Sequence, residues 1–345
     1  MGTNIEWCQE TWNPITGCTP ISPGCKNCYA ERMAKRLAGR FGYPKDYPFA
    51  ITLHESQFKK PLKWRKPRMV FVCSMGDLFH EDVPFEWIYV VVKAIISAHM
   101  RNPVHKWLFL TKRPQRILDW REWSKTMPYT DAAQVCAWFQ KMAWLGVTAE
   151  NQEQADKRIP ILLQIPAAVR FVSVEPMLGP VNLRHMDAEG HHPEWCWIDA
   201  LTGKHTDMGR ASPDVPKLDW VIAGGESGPG ARPMHPDWAR SLRDQCQDAG
   251  VPFFFKQWGA FGTKAYNLST MEPVFREYKA FHTWVNKADT WSEGATHIDI
   301  NGDVCNRGRD FQRAKYPVAI MHRVGKKKAG RLLDGRTHDE YPEVA

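Results

Sequence analysis

No apolar run in the chain approaches the roughly 18–20 residues that carry a helix across a bilayer, and the N-terminus has no signal-peptide pattern. A membrane partner is therefore not expected. A disulfide framework is lacking too. There are nine cysteines, an odd number, and three of them fall within eleven residues, which fits a reduced, cytoplasmic setting. Acidic residues are the minority charge: 38 Asp and Glu stand against 46 Lys and Arg, a net charge of +8. That balance favours an anionic partner, with nucleic acid the first choice. The remainder of the 345 residues, 43% hydrophobic and 24% charged, describes an ordinary globular protein. Sixteen tryptophans offer stacking surfaces for bases, although indoles more often serve packing.

The clustered cysteines are Cys18, Cys25 and Cys28, spaced Cys-x6-Cys-x2-Cys. Pro20, Pro23 and Gly24 keep the chain between them out of a helix. Residues 30–38 then read as helix, ending by Arg40 at Gly39 and Gly42. Thiols at a helix N-terminus are stabilised as thiolates, and three thiolates select a soft metal, either zinc or an iron–sulfur cluster. A structural zinc site closes with four ligands. No histidine or cysteine follows closely, since the next are His54 and Cys73, although Cys8 lies upstream. A [4Fe–4S] cluster on three cysteines leaves one iron open to a substrate or cofactor. Three isolated buried cysteines are the remaining reading.

Beyond the loop, apolar β-branched runs alternate with helical stretches. Strands are expected at 69–73, 107–110, 144–147, 170–174, 220–223 and 252–255, and helices at 85–100, from 115 to about 123, at 152–158 and at 238–249. Fully apolar strands separated by helices imply a parallel sheet with both faces covered. The expected fold class is therefore α/β, a full or partial (β/α) TIM-type barrel over residues 1–257. Residues 184–218 interrupt the rhythm as an insertion. Its His185, His191, His192, Cys196 and His205 match no standard zinc spacing. Residues 258–345 read as an irregular C-terminal lobe or lid. The basic, glycine-punctuated stretch 323–331 is read there either as a free tail or as a loop that grips phosphate.

Polar residues follow the strands directly: Ser74 and Asp77; Thr111, Lys112 and Arg113; Thr148, Glu150 and Asn151; Ser173 and Glu175; Glu226 and Ser227; Lys256 and Gln257. In parallel sheets, ligands and chemistry sit at this C-terminal mouth, so these groups are expected to line one cavity facing the cysteine loop. Lys112, Arg113, Arg232 and Lys256 suit an anionic substrate.

The run Trp12-Asn13-Pro14-Ile15-Thr16-Gly17-Cys18 through Cys25-Lys26-Asn27-Cys28-Tyr29-Ala30 resembles the signature of a three-cysteine-motif family encoded by phages and bacteria and grouped with the radical S-adenosylmethionine enzymes. Residues 74–84, 110–114, 146–152, 173–176, 224–228 and 326–335 are similar to that family as well. The first cysteine gap here is six, where the commonest radical spacing has three. The resemblance implies Cys18, Cys25 and Cys28 as ligands of a [4Fe–4S] cluster and S-adenosylmethionine as cofactor, with a 5′-deoxyadenosyl radical acting on a nucleic-acid base or nucleotide. It implies Asp77, Glu175 and Lys112 as catalytic residues. Ser74, Asp77, Thr148, Glu150, Asn151, Ser173, Glu175, Gly224, Gly225 and Glu226 would bind the cofactor. An electron donor, a partner protein encoded nearby and a bacterial host cytoplasm complete the expectation. Two rival classes stand beside it. One is a zinc-stabilised nucleic-acid-binding protein. The other is a non-radical barrel enzyme, such as a base-exchange transglycosylase, using Asp77 or Glu175 as nucleophile or base.

Overall fold

The computed structural model describes residues 3, 5–127, 131–187, 196–207 and 210–343. Seven strands form one parallel sheet in chain order: β1 (Glu10–Trp12), β2 (Met69–Val72), β3 (Lys106–Thr111), β4 (Ala143–Thr148), β5 (Val169–Val174), β6 (Trp220–Gly224) and β7 (Phe253–Gln257). Between them run α1 (Tyr29–Leu37), α2 (Phe85–Arg101), α3 (Gln115–Lys125), α4 (Ala132–Met142), α5 (Gln152–Leu163) and α6 (Pro236–Ala249). Among the described residues no helix is long and apolar enough to cross a membrane.

The sheet curls into a half-barrel, and the side-chain alternation of strands shows how it is filled. Leu145, Val147, Val172, Val174, Val221 and Ala223 face outward into a core shared with Val91, Ile95, Ile159, Leu162 and Leu242 of the helices. Phe71, Leu108, Trp144, Phe171, Trp220 and Phe254 face inward. Trp7 lies in their midst, 4.8 Å from the ring of Phe71, 6.4 Å from Phe171 and 6.4 Å from Trp220. One indole reaches strands β2, β5 and β6 only because the sheet curves around it. Gly146 belongs to this layer, where a Cβ would collide with the Phe171 ring. Each large ring of such a layer is worth about 3–5 kcal/mol against alanine, so the floor of the half-barrel is firm.

The expected strands lie within two residues of those observed. Within the half-barrel two elements were not expected: β1, only three residues long, and α4, whose sequence AAQVCAWFQKM buries Val135, Cys136 and Phe139. The insertion is a small antiparallel sheet of Met186–Asp187, Trp197–Ile198, His205–Asp207 and Arg210–Ser212. There His185 stacks on Trp197 and Cys196 is buried, while His191 and His192 fall outside the described residues. Residues 258–335 build an antiparallel sheet around Val318–Arg323, paired with Phe261–Gly262, Glu277–Tyr278 and Ala295–Asp299. The chain then returns to the half-barrel. Phe255 N donates to His338 O at 2.9 Å, and Tyr341 packs 5.1 Å from Trp220 and 5.5 Å from Phe254.

Candidate functional site

The cysteine loop is laid across the C-terminal ends of the strands and stitched to four of them. At β2, Gly17 N donates to Met75 O at 3.0 Å, and Asn13 Oδ1 accepts from Met75 N at 3.0 Å and from Ser74 Oγ at 3.2 Å. Gly17 and Gly76 touch backbone to backbone, and a Cβ on Gly76 would stand 2.6 Å from Gly17 O. At β3, Arg113 Nη2 donates to Thr19 O at 3.1 Å. At β4, Gly24 N donates to Glu150 Oε1 at 2.9 Å. At β6, Asn27 Nδ2 donates to Glu226 Oε2 at 3.0 Å, and Arg232 Nη2 donates to Pro23 O at 3.1 Å. Cys28 is the N-cap of α1, whose first residue, Tyr29, donates its hydroxyl to Ser74 O.

Beneath the loop lies a cavity of about 650 Å³, and Cys18, Cys25 and Cys28 all line it. Of the residues expected there, Ser74, Asp77, Lys112, Thr148, Ser173, Glu175, Gly225 and Glu226 share the lining, as do Thr111, Arg113, Lys256 and Gln257. Glu150, Asn151 and Gly224 do not. Glu150 is fully buried behind the loop, held by Arg158 Nη1 at 2.9 Å, and Asn151 caps α5 by accepting from Gln154 N at 3.1 Å. Gly224 sits under Glu175, whose carboxyl carbon would be 3.4 Å from its Cβ.

Two cations address the sulfurs. Lys112 Nζ donates to Cys25 Sγ at 3.4 Å, and Arg113 Nη1 to Cys18 Sγ at 3.5 Å. Their effects differ. Burial and the nearby Asp77 carboxylate push the Cys18 thiol up to about 12, against Arg113. Burial also raises Cys25, but the Lys112 ammonium and hydrogen bonds from the Ile21–Ser22 turn outweigh it and leave that thiol below its ordinary value. Of these two thiols, Cys25 is thus the closer to its thiolate form.

The carboxylates are individually committed. Asp77 accepts from Thr111 Oγ1 at 2.8 Å, Phe79 N at 3.0 Å and Arg113 Nη1 at 3.4 Å. Those contacts fix the turn after β2 and orient Arg113. Glu226 takes Arg232 at 2.7 Å; burial alone would raise its pKa, yet Arg232 and Asn27 hold it below the usual carboxylate range. Glu175 accepts from Lys256 Nζ at 2.9 Å and Gln257 Nε2 at 3.2 Å. This pair is a partly open charge of the cavity, with side chains 18% and 15% exposed.

Several lining residues were not among the site residues expected from the sequence. Tyr29 and Met33 project from α1 into the cavity, and Arg32 lies beside them. Glu6, Trp7 and Lys326 come from the two chain ends. Lys326 Nζ pairs with Glu6 Oε1 at 2.8 Å, a contact across 320 positions that no local pattern announces.

The donor set suits a polar, sulfur-ligated group. Three thiols face the space. Glu6 Oε2, Trp7 Nε1 and Gln257 Oε1 are buried along its lining without a hydrogen-bond partner, so each has bonding capacity left over. Among the described residues no three His, Cys, Asp or Glu side chains are set to grip a single ion. That concerns one ion, not a cluster whose irons each take one thiolate.

A family model described as a protein of unknown function (DUF5131) matches residues 2–342. No curated protein and no solved structure matches the chain.

Proposed function

The chain belongs to the DUF5131 family, and we propose that its cysteine-loop mouth is the active site of a radical S-adenosylmethionine enzyme acting on a nucleic-acid base or nucleotide. The half-barrel is then read as a partial TIM-type barrel. The observation that carries the reading is the delivery of Cys18, Cys25 and Cys28 to one cavity at the C-terminal mouth of a parallel sheet, beside Ser74, Thr148, Ser173 and Glu175. A reduced [4Fe–4S] cluster with S-adenosylmethionine supplies, when bound, a radical able to abstract hydrogen.

The chain's own residues do the rest. Cys18, Cys25 and Cys28 would hold the cluster, while Lys112 and Arg113 offset thiolate charge by donating to sulfur. The Glu175–Lys256 pair, with Gln257, offers an acceptor and a cation to a zwitterionic or hydroxyl-bearing cofactor. Ser74, Thr148 and Ser173 add hydroxyls along the same wall. Tyr29, Met33, Trp7 and Phe71 give the space an apolar side that keeps water from a reactive species and provides faces for a base to stack upon. The net charge of +8 supports an anionic substrate, and a base within a duplex would have to leave its stack to enter.

The test is anaerobic reconstitution with iron and sulfide, followed by electron paramagnetic resonance with and without S-adenosylmethionine. The expected result is a reduced-cluster signal that changes when S-adenosylmethionine is added and is absent from the Cys25→Ala variant. Purified protein with zinc and no labile sulfide, or a signal indifferent to S-adenosylmethionine, overturns the proposal.

A further inference from the structure

The basic stretch near the C-terminus forms part of the rim of the same cavity. Gly325 N and Val324 N both donate to Ala260 O, at 2.9 and 3.1 Å, and Trp258 N donates to Gly330 O at 3.2 Å. Gly325 and Gly330 adopt φ of +84° and +70°, a conformation that disfavours side chains, so the turn is built into the fold and is not a loose tail. Lys326 lines the cavity and also an adjoining open hollow of about 520 Å³, whose other walls are Val324, Gly325, Lys327 and Lys328. The Lys326 ammonium is occupied by Glu6. Lys327 and Lys328 are exposed, and neither has an ion-pair partner among the described residues. On the other side of the turn, Arg323 Nη2 is fixed to Gly228 O at 2.6 Å and Pro229 O at 2.7 Å. Arg32 stands over the same Gly228 loop and lines the cavity.

We propose that the turn Arg323–Lys328 seats the phosphodiester backbone of a single nucleic-acid strand, one base of which enters the cavity beside it. This deepens the reading above, on which it rests for the fate of the base, and it names the polymer that presents it. A free nucleotide would occupy the cavity alone and leave Lys327 and Lys328 unused. A strand places a further phosphate outside the cavity, where the shared wall at Lys326 meets the hollow. Uncommitted ammonium groups there release counterions when a phosphate arrives, which makes the affinity depend on salt.

The experiment uses the full chain, a labelled single-stranded DNA oligonucleotide of about a dozen nucleotides and fluorescence anisotropy between roughly 50 and 200 mM salt. The Lys327→Gln/Lys328→Gln variant is expected to bind roughly tenfold more weakly at the lowest salt, with a slope of log affinity against log salt shallower by about 1.4. A Lys125→Gln/Lys141→Gln control, altered at the ends of α3 and α4 away from the mouth, is expected to keep the wild-type slope. Iron and sulfide content after reconstitution should match wild type in both variants. Equal slopes for wild type and Lys327→Gln/Lys328→Gln, an equal loss in the control, or equally tight binding of polyglutamate each overturns the proposal. If strand binding follows the lysines and no cluster assembles, the radical chemistry fails alone. If the cluster responds to S-adenosylmethionine and the lysines do not matter, only the strand seat fails.

Discussion

Glu150 shows how a polar residue after a strand can serve the site without facing it. Its carboxylate is fully buried, takes Arg158 at 2.9 Å and accepts Gly24 N at 2.9 Å, with Lys112 Nζ 4.0 Å away. Removing it strands two cations and frees the loop between Cys18 and Cys25. Glu150→Ala should therefore cost about 3–5 kcal/mol of unfolding free energy in urea. Burial alone would raise the Glu150 pKa, but Lys112, Ser22, Arg158 and Gly24 together hold it below 4.5. The folded value is the lower one, so the contribution is complete above about 4.5 and fades as pH falls through the folded value. The stability gap between wild type and Glu150→Gln should accordingly shrink on acidification below pH 4.5; a gap constant across that range would contradict the assignment. The same scale predicts thiol order. In metal-free protein near pH 8, iodoacetamide should label Cys25 well before Cys18, read by peptide mass spectrometry, because Lys112 lowers the first thiol while burial and Asp77 raise the second.

At the scale of elements, the parallel strands were legible because their signal is local. Runs such as Val169–Val174 carry apolar residues on both faces, Val172 and Val174 on one and Val169 and Phe171 on the other, and both are packed into core. The loop's three cysteines and the polar groups after each strand were legible for the same reason. β1 was not, since Glu10-Thr11-Trp12 is too short to show a period, and α5 extends beyond the expected 152–158, with Pro160 inside it. It continues to Leu163, its packing outweighing the one backbone donor that proline lacks. The loop's seat depends on contacts between distant elements, and Gly76 is the sharpest case. A Cβ there would meet Gly17 O at 2.6 Å and Gly17 N at 2.9 Å, both backbone atoms unable to swing aside. Gly76→Ala should destabilise by about 1–3 kcal/mol and lower the iron retained after reconstitution. Full iron retention at wild-type stability would mean that the loop is free to shift off β2.

At the scale of the whole molecule, a seven-stranded half-barrel leaves its inner face incompletely covered, and the chain supplies the cover from both ends. Trp7 fills the inner layer from the N-terminal side. From the other, Tyr341 packs on Trp220 and Phe254, while Trp220 Nε1 donates to Glu340 O at 2.9 Å. Glu6 and Lys326 clasp the two segments at the cavity's edge. Neither the Glu6–Lys326 pair nor the seat of Tyr341 shows in composition or spacing, because the partners lie dozens to hundreds of positions apart and the closing segments are short and aperiodic. If the ends are part of the site, weakening one should be felt in the cavity as well as in stability. Tyr341 is half-buried, so Tyr341→Ala should cost about 2–3 kcal/mol, less than truncation of a fully buried ring. The loss also loosens the ring layer under Trp7, whose indole lines the cavity floor. Hydrogen exchange should then rise in residues 5–8 as well as 336–341, beyond the increase that global destabilisation predicts for β4 and β5. Faster exchange confined to 336–341 would show that the C-terminal segment covers the half-barrel without supporting the floor of the site.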